Sequence, residues 1–206
     1  MNKIILSIET TTDICSVSLF DSTKLLSIEE NSDRQHSKLL GSFVDKIFKD
    51  TNIEINTLDA IALSIGPGSY TGLRIGLSFA KGMAFSLNKP IIPIDTIESL
   101  NYSIQNKDIN YFIVVHAYKD YFFIQEYKSG ERFKNAIFDT IDSIDSEAII
   151  YGYSPNRVKK NITQIKPSSL NIANVAFDNY KQYIRNDIKS ISPNYIKPIQ
   201  FKEKNS

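Results

Sequence analysis

Polar and apolar residues in this chain follow two periods, and each change of period marks an element. Residues 4–8 are a near-continuous apolar run rich in β-branched side chains, which predicts a buried strand. Glu9-Thr10-Thr11-Thr12-Asp13 is a polar turn. Residues 14–20 alternate in part and predict a second strand. After the turn signal Asp21-Ser22-Thr23-Lys24, residues 25–29 complete an antiparallel meander. Asn31, Ser32 and Asp33 then supply N-cap side chains. Leu39, Leu40, Phe43, Val44, Ile47 and Phe48 fall on one helical stripe. Lys38, Ser42, Asp45, Lys46 and Lys49 lie opposite, so a helix over about residues 33–49 is amphipathic.

A strand over 59–65 runs into the glycine loop Gly66-Pro67-Gly68-Ser69-Tyr70-Thr71-Gly72, and a helix follows over about 71–87. Asn88-Lys89-Pro90 ends that helix. A short strand over 91–94 leads to a third helix over 97–104, capped by Asp95 or Thr96. Asn106-Lys107-Asp108 marks a boundary. Beyond it, strands are predicted over 111–117 and 121–127, with a turn at Ser129-Gly130. A short helix over 140–148, a strand over 148–151 and a helix over 173–185 follow. Residues 156–164 read as helix or loop, and residues 191–198 as irregular or an edge strand. The order of elements predicts layered α/β architecture with mixed sheets.

The segment 66–84 offers two chemical readings. A strand, a glycine turn and a helix N-terminus form an anion site, but the loop has no Gly-Lys-Ser/Thr ending and its spacing fits no dinucleotide fingerprint. A plain strand–helix turn, with Ser69 or Thr71 as cap, accounts for it equally. The helix itself carries Gly72, Gly76, Ala80 and Ala84 at a spacing of four, and only Arg74 and Lys81 are charged along it. Glycine costs about 1 kcal/mol relative to alanine inside a helix. Gly76 and Gly82 therefore call for close packing, against a second domain or another chain.

Charge and composition narrow the field. The net charge is +1, so no global basic signature for nucleic acid is present. Residues 151–206 nevertheless hold 10 Lys and Arg against 3 Asp and Glu. That segment is either a solvated tail or a basic face for an acidic partner or RNA. The single Cys15 excludes an internal disulfide and sits in an apolar run, as an inert buried thiol would. His36 and His116 are far apart in sequence, and no His-x-x-x-His or cysteine pair suggests zinc. His36, in a helix's first turn, reads as a cap or surface residue. The aromatic run around Tyr121, Phe122 and Phe123 reads as core before base-stacking platform. The run over 4–8 is too short for a signal-peptide core, and no stretch approaches a membrane span. A cytoplasmic location with no membrane contact is the expectation.

Several of these strings together resemble the TsaB (YeaZ) family of bacterial tRNA threonylcarbamoyladenosine biosynthesis proteins. They are Ile4-Ile5-Leu6-Ser7-Ile8-Glu9-Thr10, Cys15-Ser16-Val17, Arg34-Gln35-His36-Ser37 and, above all, the run from Gly66 through Leu73-Arg74-Ile75 to Gly76. Lys81-Gly82, Pro90-Ile91 and Pro193-x-Tyr195-Ile196 continue the match, which is clear over about residues 3–100. The resemblance implies an α/β, actin-like ATPase (ASKHA) fold of two related lobes. Residues 1–104 would form the lobe with the docking helices, and residues 105–206 a smaller, divergent one.

The same resemblance implies a non-catalytic scaffold subunit. It would heterodimerise with the catalytic paralogue TsaD, the ATPase TsaE would join, and threonylcarbamoyl would pass to the adenosine after the anticodon of tRNA. The first two helices would enter a four-helix bundle, through His36, Leu39, Leu40, Phe43, Gly72, Leu73, Gly76, Phe79, Ala80 and Met83. Alone, the chain would pair with a second copy of itself. Glu9, Thr10, Gly66, Gly68, Ser69 and Thr71 would be a residual nucleotide-binding set. No catalytic residue, metal ligand or cofactor is expected of this chain. ATP and magnesium would serve the partner subunits, and tRNA would be met through the complex. Two departures from the family stand out: Glu9 replaces its usual Asp, and His116-Ala117-Tyr118 replaces its frequent Asp-Ala-Arg. The rival readings are a stand-alone ATPase or glycopeptidase-like enzyme, and a direct tRNA-binding module using the basic C-terminal segment.

Overall fold

A computed structural model describes residues 3–196 apart from Thr23, Asn156, Arg157 and Lys159. The first sheet is built from β1 (Ile4–Glu9), β2 (Cys15–Asp21), β3 (Lys24–Asn31), β4 (Ala60–Ser64) and β5 (Ile91–Ile94), in the order β3-β2-β1-β4-β5. β1 pairs antiparallel with β2 and parallel with β4, so the meander feeds a parallel half. Pro93 is tolerated in β5 because that strand is at the sheet's margin, paired on its other side only by a single bridge, Ile91 to Arg185.

The period of two sorts the two faces. Leu6, Ile8, Ile61 and Leu63 point to one side, where α1 (His36–Thr51) and α2 (Tyr70–Leu87) cover them. Ile5, Ala60, Ala62 and Ile92 point to the other, where α4 (Ser169–Asp178) seats Ile172, Val175 and Ala176. Ser7, Ser16 and Ser18 share that second face and are fully buried. Small side chains let α4 lie close, and Ser16 Oγ meets Ser169 Oγ at 2.7 Å and accepts the Ser169 N–H at 3.2 Å.

The second sheet contains β6 (Tyr111–Tyr118), β7 (Tyr121–Lys128), β8 (Glu131–Thr140), β9 (Ile150–Tyr153) and β10 (Thr163–Gln164), in the order β10-β9-β6-β7-β8. α3 (Thr96–Tyr102) packs Ile97 and Leu100 against Tyr111, Ile113 and Val115 of this sheet. A short α5 (Tyr180–Tyr183) follows α4. Residues 106–108 lie between α3 and β6, after the first sheet's last strand and before the second sheet's first. The chain then returns: α4 covers the first sheet, and Asn194 N–H donates to Ile65 O at 2.7 Å.

Three local expectations are corrected. α1 starts at His36, not near Asp33, because Asp33 N–H bonds Asn31 Oδ1 (2.8 Å) and Arg34 takes φ +56°, which bars a helix there. The expected helix over 140–148 reduces to the 3-10 turn Ile141–Ser143, because β8, over a stretch for which no element was expected, runs from Glu131 to Thr140. α4 begins at Ser169, capped by Ser168 Oγ on Leu170 N–H, and breaks at Asn179 rather than running to Arg185. Residues 191–195 take the irregular form of the two expected for 191–198, and Lys197 and Pro198 lie outside the described residues.

Asp95 joins these parts. Its Oδ1 caps α3 by accepting the Glu98 N–H (3.0 Å) and also accepts from Arg132 of β8 (2.6 Å). Its Oδ2 accepts from Asn194 Nδ2 at 3.2 Å. Asp95→Ala is expected to cost about 2 kcal/mol in urea unfolding, since it removes a helix cap and leaves Arg132 without its acid.

Candidate functional site

The glycine loop and the turn after β1 are packed into one another, and this decides what each can do. Thr10 Oγ1 donates to Gly72 O at 2.9 Å, and Ser69 N–H donates to Thr11 O at 2.6 Å. A Cβ on Gly68 would stand 2.4 Å from Thr11 O, on Gly72 2.0 Å from Thr10 O, and on Gly76 2.3 Å from Thr10 Oγ1. The small-residue stripe therefore serves the chain's own β1 turn. The expected close packing at Gly76 is present, but against Thr10 of this lobe rather than a second domain or another chain. Gly82 is different: nothing lies within 4 Å of a Cβ there, and no contact explains it. Ser69 is the α2 cap, with its Oγ accepting the Gly72 N–H at 3.3 Å.

Glu9 lies under this turn, fully buried. Its Oε1 accepts from Thr11 N–H and Thr11 Oγ1, both at 2.5 Å, while Oε2 has no hydrogen-bond partner among the described residues. Burial pushes the carboxyl above its ordinary range, against the opposing pull of the Thr11 hydroxyl, the Ser64 hydroxyl and nearby amides. The native state thus holds this proton to a higher pH than the unfolded chain, where glutamate titrates near about 4.3. Stability is fully present below that value and falls as pH rises towards the native one. Glu9→Gln is expected to flatten this fall, so that the variant gains on the parent in urea melts as the pH rises above about 4.3. A parent-like slope in the variant would overturn the assignment.

A cleft of about 880 Å³ opens between the sheets. Thr11, Thr12, Asp13, Gly68, Ser69, Thr71 and Gly72 line one wall, and His116, Tyr118, Phe123 and Phe138 line the other. Of the nucleotide set, Gly68, Ser69 and Thr71 reach the cleft. Glu9, Thr10 and Gly66 are buried beneath it rather than lining it. His36 is 6% exposed and meets Thr12 O through Nε2 at 3.0 Å, so its expected surface role is corrected. Burial lowers its pKa and keeps the ring neutral. Pattern reading missed Tyr70, Tyr153 and Tyr195 as cleft residues; Tyr70 and Tyr195 stand 5.3 Å apart, centroid to centroid. Their one signal was aromatic residues beside turns. Cys15 is buried, its thiol pushed up to about 12 by desolvation, as an inert thiol should be.

The ten residues expected at a docking face divide. His36, Leu40, Gly72, Leu73, Gly76 and Ala80 are buried inside the chain, so the expectation that these six face a partner is corrected. Leu39, Phe43, Phe79 and Met83 are half-buried, packed against the first sheet's core from α1 and α2, with Ile75 beside them.

Two mixed sheets, each with helices, around a central cleft define the actin-like ATPase fold class. Solved structures agree: YeaZ from Pseudomonas aeruginosa superposes with a TM-score of 0.76 at 20% identity, covering 94% of this chain and 99% of that one. A P. aeruginosa protein described as similar to peptidase YEAZ gives 0.78 at 19% identity, over 95% and 100%. The family model described as TsaD: tRNA N6-adenosine threonylcarbamoyltransferase matches residues 26–203. The tRNA threonylcarbamoyladenosine biosynthesis protein TsaB of Haemophilus influenzae is 35% identical over 99 residues, 48% of this chain and 42% of that protein. TsaB of Buchnera aphidicola from Acyrthosiphon pisum is 29% identical over 174 residues, 82% of this chain and 72% of that protein. The match thus spans less than half of the Haemophilus relative. The chain belongs to the TsaD family, in its TsaB (YeaZ) branch.

Proposed function

We propose that this chain is a non-catalytic subunit in the formation of threonylcarbamoyladenosine on tRNA, and that it docks to the catalytic paralogue TsaD through the outer side of the α1–α2 layer. The observation that carries this is the half-buried apolar ridge of Leu39, Phe43, Ile75, Phe79 and Met83, which the first sheet covers on one side only. A helical pair that is apolar on both sides has a second surface to bury. The relatives' names supply the reaction. TsaE joins the pair, ATP and magnesium are used by the partner subunits, and tRNA is met through the complex. Without TsaD the same ridge pairs two copies of this chain.

The stand-alone enzyme reading has less support. Glu9, the acid nearest the glycine loop, is sealed from the cleft and tied to Thr11. Gel filtration with light scattering on the chain mixed with TsaD tests the proposal; a mass of one chain plus one TsaD is expected. Calorimetry with ATP tests the rival: heat of binding that disappears in Glu9→Ala, with no TsaD association, would replace the scaffold reading by an ATPase.

A further inference from the structure

We propose that the β5 margin of the first sheet, where Lys81, Phe85, Lys89, Arg185 and Lys189 meet, is a contact surface for RNA, its cations holding phosphates and the Phe85 ring stacking on an unpaired base. The basic C-terminal segment does not stand apart as a solvated tail here. Arg185 exchanges backbone hydrogen bonds with Ile91, at 3.0 and 2.8 Å, and Lys81 Nζ donates to Lys189 O at 3.2 Å. These bonds seat the 185–189 turn beside the C-terminal half of α2. Lys81 and Phe85 are one helical turn apart on the flank of α2 away from Ile75 and Phe79. Lys89 follows at the helix end, its N–H on Ala84 O.

Two features of this place ask for a partner. Phe85 is 79% exposed, the most exposed of the large apolar side chains among the described residues. Among the same residues, no ion pair joins Lys81, Lys89, Arg185 or Lys189 to an acid. Arg185 rests one guanidinium nitrogen on Gln182 O and Ile184 O and keeps further donors. Asp187 is the acid of the turn, and its Oδ1 accepts the Lys189 N–H. An acidic helix or peptide would answer the cations and leave the ring in water. A single-stranded or looped RNA answers both, since every base has a face for an aromatic ring and every nucleotide a phosphate. The proposal rests on the tRNA-modifying role above for its biological sense, but its surface is separate from the α1–α2 ridge.

The test uses the full chain and a fluorescently labelled, unmodified tRNA transcript, with binding followed by anisotropy from 50 to 200 mM KCl. Lys81→Glu with Lys189→Glu is expected to weaken binding at least 10-fold and to lower the salt slope by about 2. Phe85→Ala is expected to weaken it by about 10-fold with the slope unchanged, and Phe85→Trp to restore it. Thermal unfolding of each variant is read alongside, so a loss from misfolding is recognised and replaced by the milder Lys81→Gln with Lys189→Gln. Parent-like affinity in the charge and Phe85 variants overturns the proposal. So does competition by a poly-glutamate peptide that matches unlabelled tRNA, which would assign the patch to an acidic protein. Association with TsaD, measured on the same variants, is expected to be unchanged. Loss of that association in the parent chain would sink the docking reading and leave this one standing.

Discussion

Gly72→Ala should destabilise the fold strongly. One methyl group is added, yet it would have to sit 2.0 Å from the carbonyl oxygen of Thr10. That oxygen belongs to backbone, and backbone cannot rotate away as a side chain can. The turn is pinned on both flanks, by Thr10 Oγ1 on Gly72 O and by Ser69 N–H on Thr11 O. Relief requires α2 to lift from β1, which would open the core around Leu73, Leu77 and Ala80. Overpacking of this kind costs about 3 kcal/mol, a large part of a domain's stability. Gly41→Ala is the control: nothing lies within 4 Å of a Cβ there, and alanine should gain about 1 kcal/mol of helix propensity. Urea melts that place Gly72→Ala within 1 kcal/mol of the parent would refute the packing account. A bulky residue at Gly76 meets the same turn, through Thr10 Oγ1, and so cannot separate docking from folding.

Gly82→Arg is expected to break association with TsaD while leaving the chain folded. Gly82 lies one turn beyond Phe79 on the exposed side of α2, with open space around its Cα. A Cβ there has nothing within 4 Å, and arginine favours a helix over glycine. In a tightly packed helical interface it would hold the partner's backbone off the ridge and place a charge within it. A loss of at least 100-fold in affinity is expected, about 3 kcal/mol at a buried contact. The variant's melting temperature should match or exceed the parent's. Undiminished TsaD binding by Gly82→Arg would remove the α1–α2 ridge from the interface. Phe43→Asp is a second probe from the neighbouring helix, and its half-buried ring makes a fold control necessary.

Much of the first sheet was readable from residue order. β1, β2, β4 and β5 lie within a residue or two of their expected ranges, and the central β1 and β4, buried on both faces, leave near-continuous apolar runs. α2 was legible from its cap, its spacing and Asn88, which closes it in the left-handed conformation. The second half was less so. β8 reads Glu-Arg-Phe-Lys-Asn-Ala-Ile-Phe-Asp-Thr, an edge strand whose alternation is interrupted where Lys134 takes φ +64°. A turn of that kind shifts the register and erases the period of two.

Some properties belong to the sequence alone. It determined the glycine loop, the amphipathic α1, the nearly uncharged α2 and the family they mark, because each depends on neighbours within a few residues. Which side of α2 is buried depended on distant groups. The Gly72–Gly76 stripe could have met another chain, and only the arrival of Thr10 from β1 shows that it meets this one. The same turn hides Glu9 from the cleft, and the chain's return brings Arg185 against Ile91 and Lys189 against Lys81. Contacts between residues 60 to 110 positions apart leave no local period, so packing alone could settle them.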